Sequence, residues 1–497
     1  MIRIESTVIK ERKNFWGQCL FHPTDAVEDP WGKRILDRIS ADKAIDTVRV
    51  YTMFEDIVYL GEDGEICYDF RLSDLRLDYL VEKGFNLLLA YGGMPDCIAA
   101  GTQNKTSVSK NKTRYKGKMW NSAPPKDFAV WEEICYVYTK HIVERYGIDR
   151  VKNWRMQCFN EADIAQFFLS QYPNSEENAE KYRLPLYCKL YESFERGIRR
   201  VSDEIKIGGP ALAAFLNFLG GFLDFVRQKD LKLDFISVHN YGTAPAWLND
   251  GSVPFTVQNN LKKHQRYVDT VSAHGFGHIP LLVDEWGMAS AGFFNIEECP
   301  QLIARETEMF SAYFAKLIHQ FAFSDFRLDM FCICLSGQHE MTEDFTGFRN
   351  FFTLNFIAKP IYNCYILASK LGRELLASSA EDENIFVIPS KNEQGYAVLL
   401  SYSSEHFEED LTDRSEVLVL PEDAMGKTVR IFCIDKTHTN PYRLYQRRGM
   451  QDPLSQEDIR LLREEGKIKP CDTFVYTKEN AIRLELTPNA TYLILVS

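Results

Sequence analysis

The chain has 497 residues, of which 45% are hydrophobic and 26% are charged. That balance can bury a large core, so the composition excludes a disordered protein. The net charge of −12 and the pI near 5.5 argue against nucleic acid as a partner. No stretch has the roughly 20 apolar residues of a membrane span, so we expect no membrane partner.

The start of the sequence, MIRIESTVIKERKN, lacks the apolar core of a secretion signal, and a cytoplasmic location is expected from it. The 12 cysteines are scattered and form no CxxC pair. Buried thiols account for them better than disulfides or a zinc site. The sequence therefore predicts neither a metal nor a cofactor.

Short apolar runs alternate with longer helical patterns over the first three quarters of the chain. Eight such strand–helix units over roughly 350 residues are typical of a (β/α)8 barrel, placed here at residues 11–371. A doubly wound sheet is the alternative, but the sequence has neither GxGxxG nor GxxxxGK[ST] to support a nucleotide site. The predicted strands are 16–20, 47–51, 85–89, 154–158, 206–208, 235–239, 280–284 and 330–335, with helices predicted over 130–146, 184–201 and 300–323.

After residue 371 the pattern changes to short strands separated by turn residues. The sequence predicts an all-β domain, a β-sandwich, over residues 372–497. Residues 1–10 alternate in the same way and are assigned to this domain. The predicted strands are 385–388, 396–402, 417–420, 428–433, 481–486 and 491–496, and residues 451–466 form a helical interruption.

One loop is unusually basic. Residues 101–126 follow the third predicted strand, on the face where barrel active sites lie, and they contain Trp120. The loop is either a solvated surface segment or a lid whose Trp120 contacts substrate.

Two carboxylates stand at the ends of buried strands. Glu161 follows the fourth predicted strand, and Glu285 follows the seventh, PLLVD. A carboxylate in that position can cap a helix or pair with an arginine. It can also be catalytic, because barrel enzymes place their reactive side chains at the carboxyl ends of strands.

Cleavage of a glycosidic bond needs such a pair, one carboxyl to protonate the leaving oxygen and one to attack or to activate water. Asn160 could then donate a hydrogen bond to the sugar 2-hydroxyl. His239 and Tyr241 alternate in SVHNYG at the sixth strand end, so both can point into the barrel mouth. A core histidine is the alternative for His239.

An ordered set of segments resembles glycoside hydrolase family 39, which contains β-xylosidases and α-L-iduronidases. The segments span most of the chain: PPKDFAVWEEICYVYTKHIVERYGIDRVKNWRMQCFNEAD, DFISVHNYG, LLVDEWG, AKPIYNCYILASKLGRELL and NPYRLYQRRGMQDPLSQEDIRLL. The resemblance implies retaining catalysis without a metal, with Glu161 as acid/base and Glu285 as nucleophile. It also implies that Trp286 and Glu340 help to hold the sugar.

Several positions depart from the family pattern. Ala162 stands where proline usually follows Asn-Glu, and Gly287 stands where asparagine often follows Glu-Trp. Tyr51 takes the place of a sugar-contacting histidine, and the eighth strand lacks the usual tryptophan floor of the −1 subsite. These changes affect the groups around the sugar and leave both carboxylates in place.

The sequence as a whole favours an exo-acting β-xylosidase that processes short oligosaccharides. Tyr241 stands where iduronidases have a basic residue, so the β-xylosidase branch is preferred. Another β-linked or α-L-configured sugar is the alternative within this class, and a non-catalytic carbohydrate-binding barrel is the alternative outside it. A metal-dependent isomerase or a lyase would need a metal cluster or a lysine base, which the motifs lack. The resemblance also allows a homo-oligomer formed through the β domain.

Overall fold

The computed structural model describes residues 1–20, 30–101, 105–106, 120–290, 294–335, 341–407, 411–479 and 481–497. For Lys105, Thr106 and Trp120 it describes the backbone. The predicted roles of Trp120 and Glu340 in substrate binding, and most of the basic loop, therefore lie outside the described residues.

The strands of the described chain are short and alternate with helices as far as residue 369. In order they are β1 (Ile2–Glu11), β2 (Gln18–Leu20), β3 (Thr47–Tyr51), β4 (Val58–Leu60), β5 (Ile66–Tyr68), β6 (Asn86–Tyr91), β7 (Lys105–Thr106), β8 (Trp120–Asn121), β9 (Arg155–Cys158), β10 (Lys206–Leu212), β11 (Phe235–Thr243), β12 (Leu281–Ala289), β13 (Met330–Cys334), β14 (Glu374–Ala380), β15 (Ile385–Asn392), β16 (Gly395–Tyr402), β17 (Arg414–Val419), β18 (Thr428–Ile434), β19 (Pro470–Val475), β20 (Ile482–Leu486) and β21 (Ala490–Val496).

The α-helices are Pro30–Asp42, Arg71–Glu82, Phe128–Tyr146, Ile148–Val151, Glu176–Asn178, Leu184–Arg199, Leu216–Lys229, Pro245–Asn249, Val257–Ala273, Glu308–Phe323, Pro360–Ser369, Pro441–Arg448 and Gln456–Glu465. Phe54–Asp56, Pro300–Glu306 and Glu422–Ala424 form 3-10 turns, and Ala179–Arg183 forms a π-helical turn.

Eight parallel strands close into a barrel in the order β2-β3-β6-β9-β10-β11-β12-β13. The predicted barrel is confirmed, and each of the eight predicted runs overlaps its strand, with β6 ending two residues later than predicted. β10, β11 and β12 extend four or five residues beyond the predicted ends.

Nine further strands form one mixed sheet, in the order β19-β18-β21-β16-β15-β14-β1-β17-β20, while β4 pairs with β5 and β7 with β8 in two-stranded sheets. β1 pairs antiparallel with β14 and parallel with β17, so the first strand of the chain lies within this sheet. Leu418 and Ile482, near one edge, share a core with Val429 and Ile494, near the other. The predicted sandwich is therefore a single continuous sheet that folds over its own core.

The barrel and the sheet meet at the helix Glu308–Phe323. Twelve of its sixteen residues are buried, including the charged Lys316, because the helix packs between the two units. Phe314 on this helix belongs to the same hydrophobic cluster as Leu399 and Leu493 of the sheet. The core thus runs across residue 371, where we predict the boundary between the two domains. No helix of the described chain is long and apolar enough to cross a membrane.

Candidate active site

A β-bulge in β12 turns two consecutive carboxylates into the barrel. Val238 of β11 is opposite Val283, but the next residue, His239, is opposite Glu285. Asp284 is therefore an extra residue in the strand, and both it and Glu285 face the interior. Asp284 is fully buried, and the side chain of Glu285 is 8% exposed.

The backbone after β9 is strained where it presents the other carboxylate. Phe159 and Glu161 have φ angles of 63° and 47°, in the left-handed region that side chains disfavour. The Glu161 N–H donates to the carbonyl of Ala211 at 3.1 Å, which holds the turn. Strain of this kind gathers at functional sites, where the surrounding contacts fix it.

Three donors hold the carboxylate of Glu285. The Nη1 atom of Arg49 lies 2.7 Å from Oε1, and the hydroxyl of Tyr51 donates to the same oxygen at 3.1 Å. The hydroxyl of Tyr241 donates to Oε2 at 2.7 Å. Tyr51 and Tyr241 were both predicted to lie in the site, and the structure brings both to Glu285.

Arg49 is the centre of a buried network that sequence reasoning missed. Its guanidinium donates to the side-chain oxygens of Gln157 at 2.8 Å and Asn160 at 2.7 Å, and it lies 3.1 Å from Asp284. Gln157 in turn donates to Asp284 at 2.6 Å. An arginine inside the apolar strand TVRVY was the available signal, because a fully buried cation needs carboxylate partners.

His239 lies between the two catalytic candidates. Its Nδ1 atom is 2.6 Å from Oε1 of Glu161 and 3.5 Å from Oε2 of Glu285. The ring is fully buried, and its Nε2 atom is 3.6 Å from Asp284. His239 therefore lies in the barrel mouth among three carboxylates and is not an isolated core histidine.

The electrostatics of the two glutamates differ. Burial alone would raise the pKa of Glu285, but the positive charges of His239, Arg49 and Arg349 lower it well below its usual range. Burial raises the pKa of Glu161, and His239 offsets only part of that rise. One carboxyl thus favours the ionised form and the other the protonated form, which is the pattern of a nucleophile and a general acid.

Trp286 does not reach this site, which corrects the expectation that it holds the sugar. Strand alternation turns its side chain outward, away from Glu285. It is fully buried, stacks with Phe314 at 5.6 Å and Phe331 at 4.7 Å between ring centroids, and donates its indole N–H to Tyr365 at 3.2 Å. Trp286 is a core residue between the barrel and its helices.

Two groups in the described chain have the residue types of a metal site. Glu161, His239 and Glu285 place their ligand atoms within 4.8 Å of one another, as do Cys433, Asp435 and His438. In the first group a guanidinium and two hydroxyls already donate to Glu285. In the second, Asp435 accepts the backbone N–H groups of the turn that follows it. Hydrogen bonds account for both arrangements.

A closed eight-stranded barrel with a carboxyl pair at its strand ends has the arrangement that glycoside hydrolases use. The chain belongs to the glycosyl hydrolases family 39, whose family model matches residues 2–476. It is thus a glycosidase, and the predicted family is confirmed.

Curated relatives are distant in sequence. A beta-xylosidase of Caldicellulosiruptor saccharolyticus is 24% identical over 462 residues, which cover 92% of this chain and 89% of the relative. An alpha-L-iduronidase of Canis lupus familiaris is 23% identical over 239 residues, 46% of this chain and 32% of the relative. A crystal structure of a monomeric beta-xylosidase from Caulobacter crescentus CB15 has a TM-score of 0.82 and 17% identity, covering 99% of this chain and 98% of that one. This likeness confirms the fold.

Proposed function

We propose that the chain is a retaining, exo-acting β-xylosidase that works by double displacement with Glu161 and Glu285. The observation that carries this proposal is the separation of the carboxyls: an oxygen of Glu161 lies within 4.8 Å of an oxygen of Glu285. Retaining enzymes hold the two groups about 5 Å apart, whereas inverting enzymes need about 6.5–9.5 Å to admit a water molecule.

In the first step Glu161 donates its proton to the leaving glycosidic oxygen while a carboxylate oxygen of Glu285 attacks the anomeric carbon. The bond to the leaving group breaks as the glycosyl ester forms. Oε1 of Glu285 is held by Arg49 and Tyr51, whereas Oε2 accepts from Tyr241 and lies nearer to His239. Oε2 is the less encumbered oxygen, so we assign the attack to it.

In the second step the roles reverse. Glu161, now ionised, takes a proton from a water molecule, which attacks the anomeric carbon and releases Glu285. Two inversions give net retention. His239 can stabilise both the protonated and the ionised form of Glu161, because its Nδ1 lies 2.6 Å from Oε1 and can share the proton.

Asn160 is suited to bind the sugar 2-hydroxyl. Its Oδ1 is used by Arg49, while its buried Nδ2 has no hydrogen-bond partner among the described residues. An unpaired buried donor is costly unless a ligand accepts its hydrogen bond. The amide is thus oriented and available where the 2-hydroxyl contact strengthens in the transition state.

A xyloside is the preferred substrate because the curated beta-xylosidases align in sequence over most of the chain, whereas the curated iduronidases align in sequence over less than half of it. Another sugar in the same linkage is the alternative. This alternative is favoured by the residues around the sugar site that depart from the family pattern: Tyr51 contacts Glu285, and Cys334 lies close to Tyr241.

The test is release of nitrophenol from a panel of glycosides: β-D-xyloside, β-D-glucoside, β-D-galactoside, β-L- and α-L-arabinosides, and α-L-iduronide. We expect release from the xyloside and none from Glu285→Gln. Azide should restore turnover to Glu285→Ala but not to Glu285→Gln. Full activity in Glu285→Gln would rule out the assignment. Calorimetric binding of an oligosaccharide without product would instead favour a non-catalytic carbohydrate-binding barrel.

A further inference from the structure

Arg349 lies on the far side of Tyr241 from Glu285. It belongs to the segment between β13 and the helix Pro360–Ser369, which had no periodic pattern in the sequence. Its Nη1 atom is 2.6 Å from the hydroxyl oxygen of Tyr241, and the guanidinium carbon is 5.3 Å from the centre of the tyrosine ring. Arg349, Tyr241 and Glu285 therefore form a chain of two hydrogen bonds.

The direction of both hydrogen bonds follows from the chemistry of the groups. A guanidinium can only donate, so the Tyr241 oxygen must accept from Arg349. The single hydrogen of the phenol is then left for Oε2 of Glu285, 2.7 Å away. Without Arg349 the hydroxyl could rotate and offer its hydrogen elsewhere.

Other partners do not account for the position of Arg349. No described carboxylate lies within 4.0 Å of its guanidinium, and its buried Nε has no partner in the described chain. The guanidinium of the neighbouring Arg305 donates its hydrogen bonds to the backbone carbonyls of Gly347 and Ala289. Arg349 is partly buried, and a cation withdrawn from water without an ion-paired carboxylate among the described residues is costly. Its placement against Tyr241 and Glu285 therefore needs a physical reason.

We propose that Arg349 is a positioning residue, which acts through Tyr241 to direct a hydrogen bond onto the attacking oxygen of Glu285. Tyr241 is the one hydrogen-bond donor to Oε2 among the described residues, whereas Oε1 has two donors. Arg349 thus controls the orientation of the oxygen that reacts. The proposal rests on the proposed function, in which Glu285 is the nucleophile.

The test is a double-mutant cycle on the wild-type enzyme with Arg349→Met, Arg349→Lys, Tyr241→Phe and the combined variants. The readouts are kcat, KM and the pH dependence of kcat/KM on the glycoside that the wild type cleaves. Arg200→Met is the matched control, because Arg200 also stacks on a tyrosine, at 3.9 Å from the centre of the Tyr136 ring, far from the barrel mouth in sequence and fold.

We expect Arg349→Met to lower kcat on the order of tenfold, as loss of an outer hydrogen-bond partner typically does. The acidic limb of its pH profile should move to higher pH, since Glu285 loses a positive neighbour. Arg349→Lys should recover part of the loss, because it keeps the charge. In the Tyr241→Phe background Arg349→Met should have little further effect, and Arg200→Met should match the wild type.

Equal losses from Arg349→Met in both backgrounds would overturn the proposal, because Arg349 would then act independently of Tyr241. An unchanged acidic limb would overturn it as well. If Arg349→Met does not fold by circular dichroism, the same comparison is made with Arg349→Lys. Failure of the proposed function is a separate result: Glu285→Gln would then be as active as the wild type.

Discussion

The Nδ1 atom of His239 and the Oε1 atom of Glu161 lie 2.6 Å apart, with the histidine ring fully buried and the glutamate side chain 14% exposed. Around this pair the carboxyls of Asp284 and Glu285 face the guanidiniums of Arg49 and Arg349. The charges of these two carboxylates and two guanidiniums cancel, so the site is close to neutral when the His239–Glu161 pair carries a single proton. The proton that Glu161 donates to the leaving group is therefore the same proton that keeps the free site close to neutral.

Replacing His239 should move the two limbs of the pH profile in opposite directions. The positive charge of His239 lowers the pKa of Glu285, so in His239→Asn Glu285 protonates at a higher pH than in the wild type. The basic limb reports loss of the proton shared by His239 and Glu161, and without the imidazole only Glu161 is left to hold it. We expect the acidic limb of kcat/KM to shift upward by about one pH unit and the basic limb to shift downward. Upward movement of both limbs would contradict a proton shared by the pair.

Replacing Glu161 should make the rate depend on the leaving group. Glu161→Ala lacks the acid, so a poor leaving group such as an alkyl or sugar alcohol should be released on the order of 10²–10⁴ times more slowly. A dinitrophenyl glycoside needs no protonation, and its glycosylation should be nearly unaffected. Comparison of the two substrates in steady-state assays measures this, with Glu161→Gln as the isosteric control. Equal losses on both would show that Glu161 is not the acid.

Arg49→Leu should destabilise the fold as well as remove activity. It leaves Asp284 and Glu285 buried next to each other without their cation. Breaking a buried pair in this way costs about 3 kcal/mol in the free energy of unfolding, measurable by urea denaturation. Adding Glu285→Gln to Arg49→Leu should recover part of the loss. If the double variant is no more stable than the single one, charge imbalance is not the cause.

Trp286→Leu should affect stability rather than substrate binding. The indole fills the space between Phe314 and Phe331, and a smaller side chain leaves a cavity there. We expect a loss of about 3 kcal/mol in the free energy of unfolding, with KM within about twofold of the wild type. Trp247→Leu is the control, because Trp247 is 52% exposed. A large increase in KM with an unchanged free energy of unfolding would show that Trp286 contacts the substrate.

The barrel could be predicted because each strand is a short apolar run between helical patterns. Glu161 and Glu285 were found for the same reason, since a carboxylate directly after such a run is conspicuous. Two strands of the sheet, β14 and β19, were missed because neither alternates: the buried residues of β14 are the adjacent Leu375 and Leu376, and β19 is largely exposed. The rest of the all-β region was found from turn residues.

The parts of the site that the sequence could not reveal depend on contacts between distant segments. Asp284 faces inward only because of the bulge in β12, which the run PLLVD does not indicate. Arg349 lies more than a hundred residues from Tyr241 in the chain and follows no motif. Trp286 was misplaced because its motif was interpreted by resemblance, whereas strand alternation turns it outward.

The position of β1 has a consequence for how the chain is made. Its partners β14 and β17 begin at Glu374 and Arg414, so the first strand leaves the ribosome long before either exists. At roughly 5–20 residues per second, its apolar face waits unpaired for tens of seconds. Ile2 and Ile4, fully or nearly fully buried in the finished sheet, are exposed throughout that interval. Synthesis therefore passes through a stage in which the barrel strands are complete and a free strand edge is open to chaperones or to aggregation.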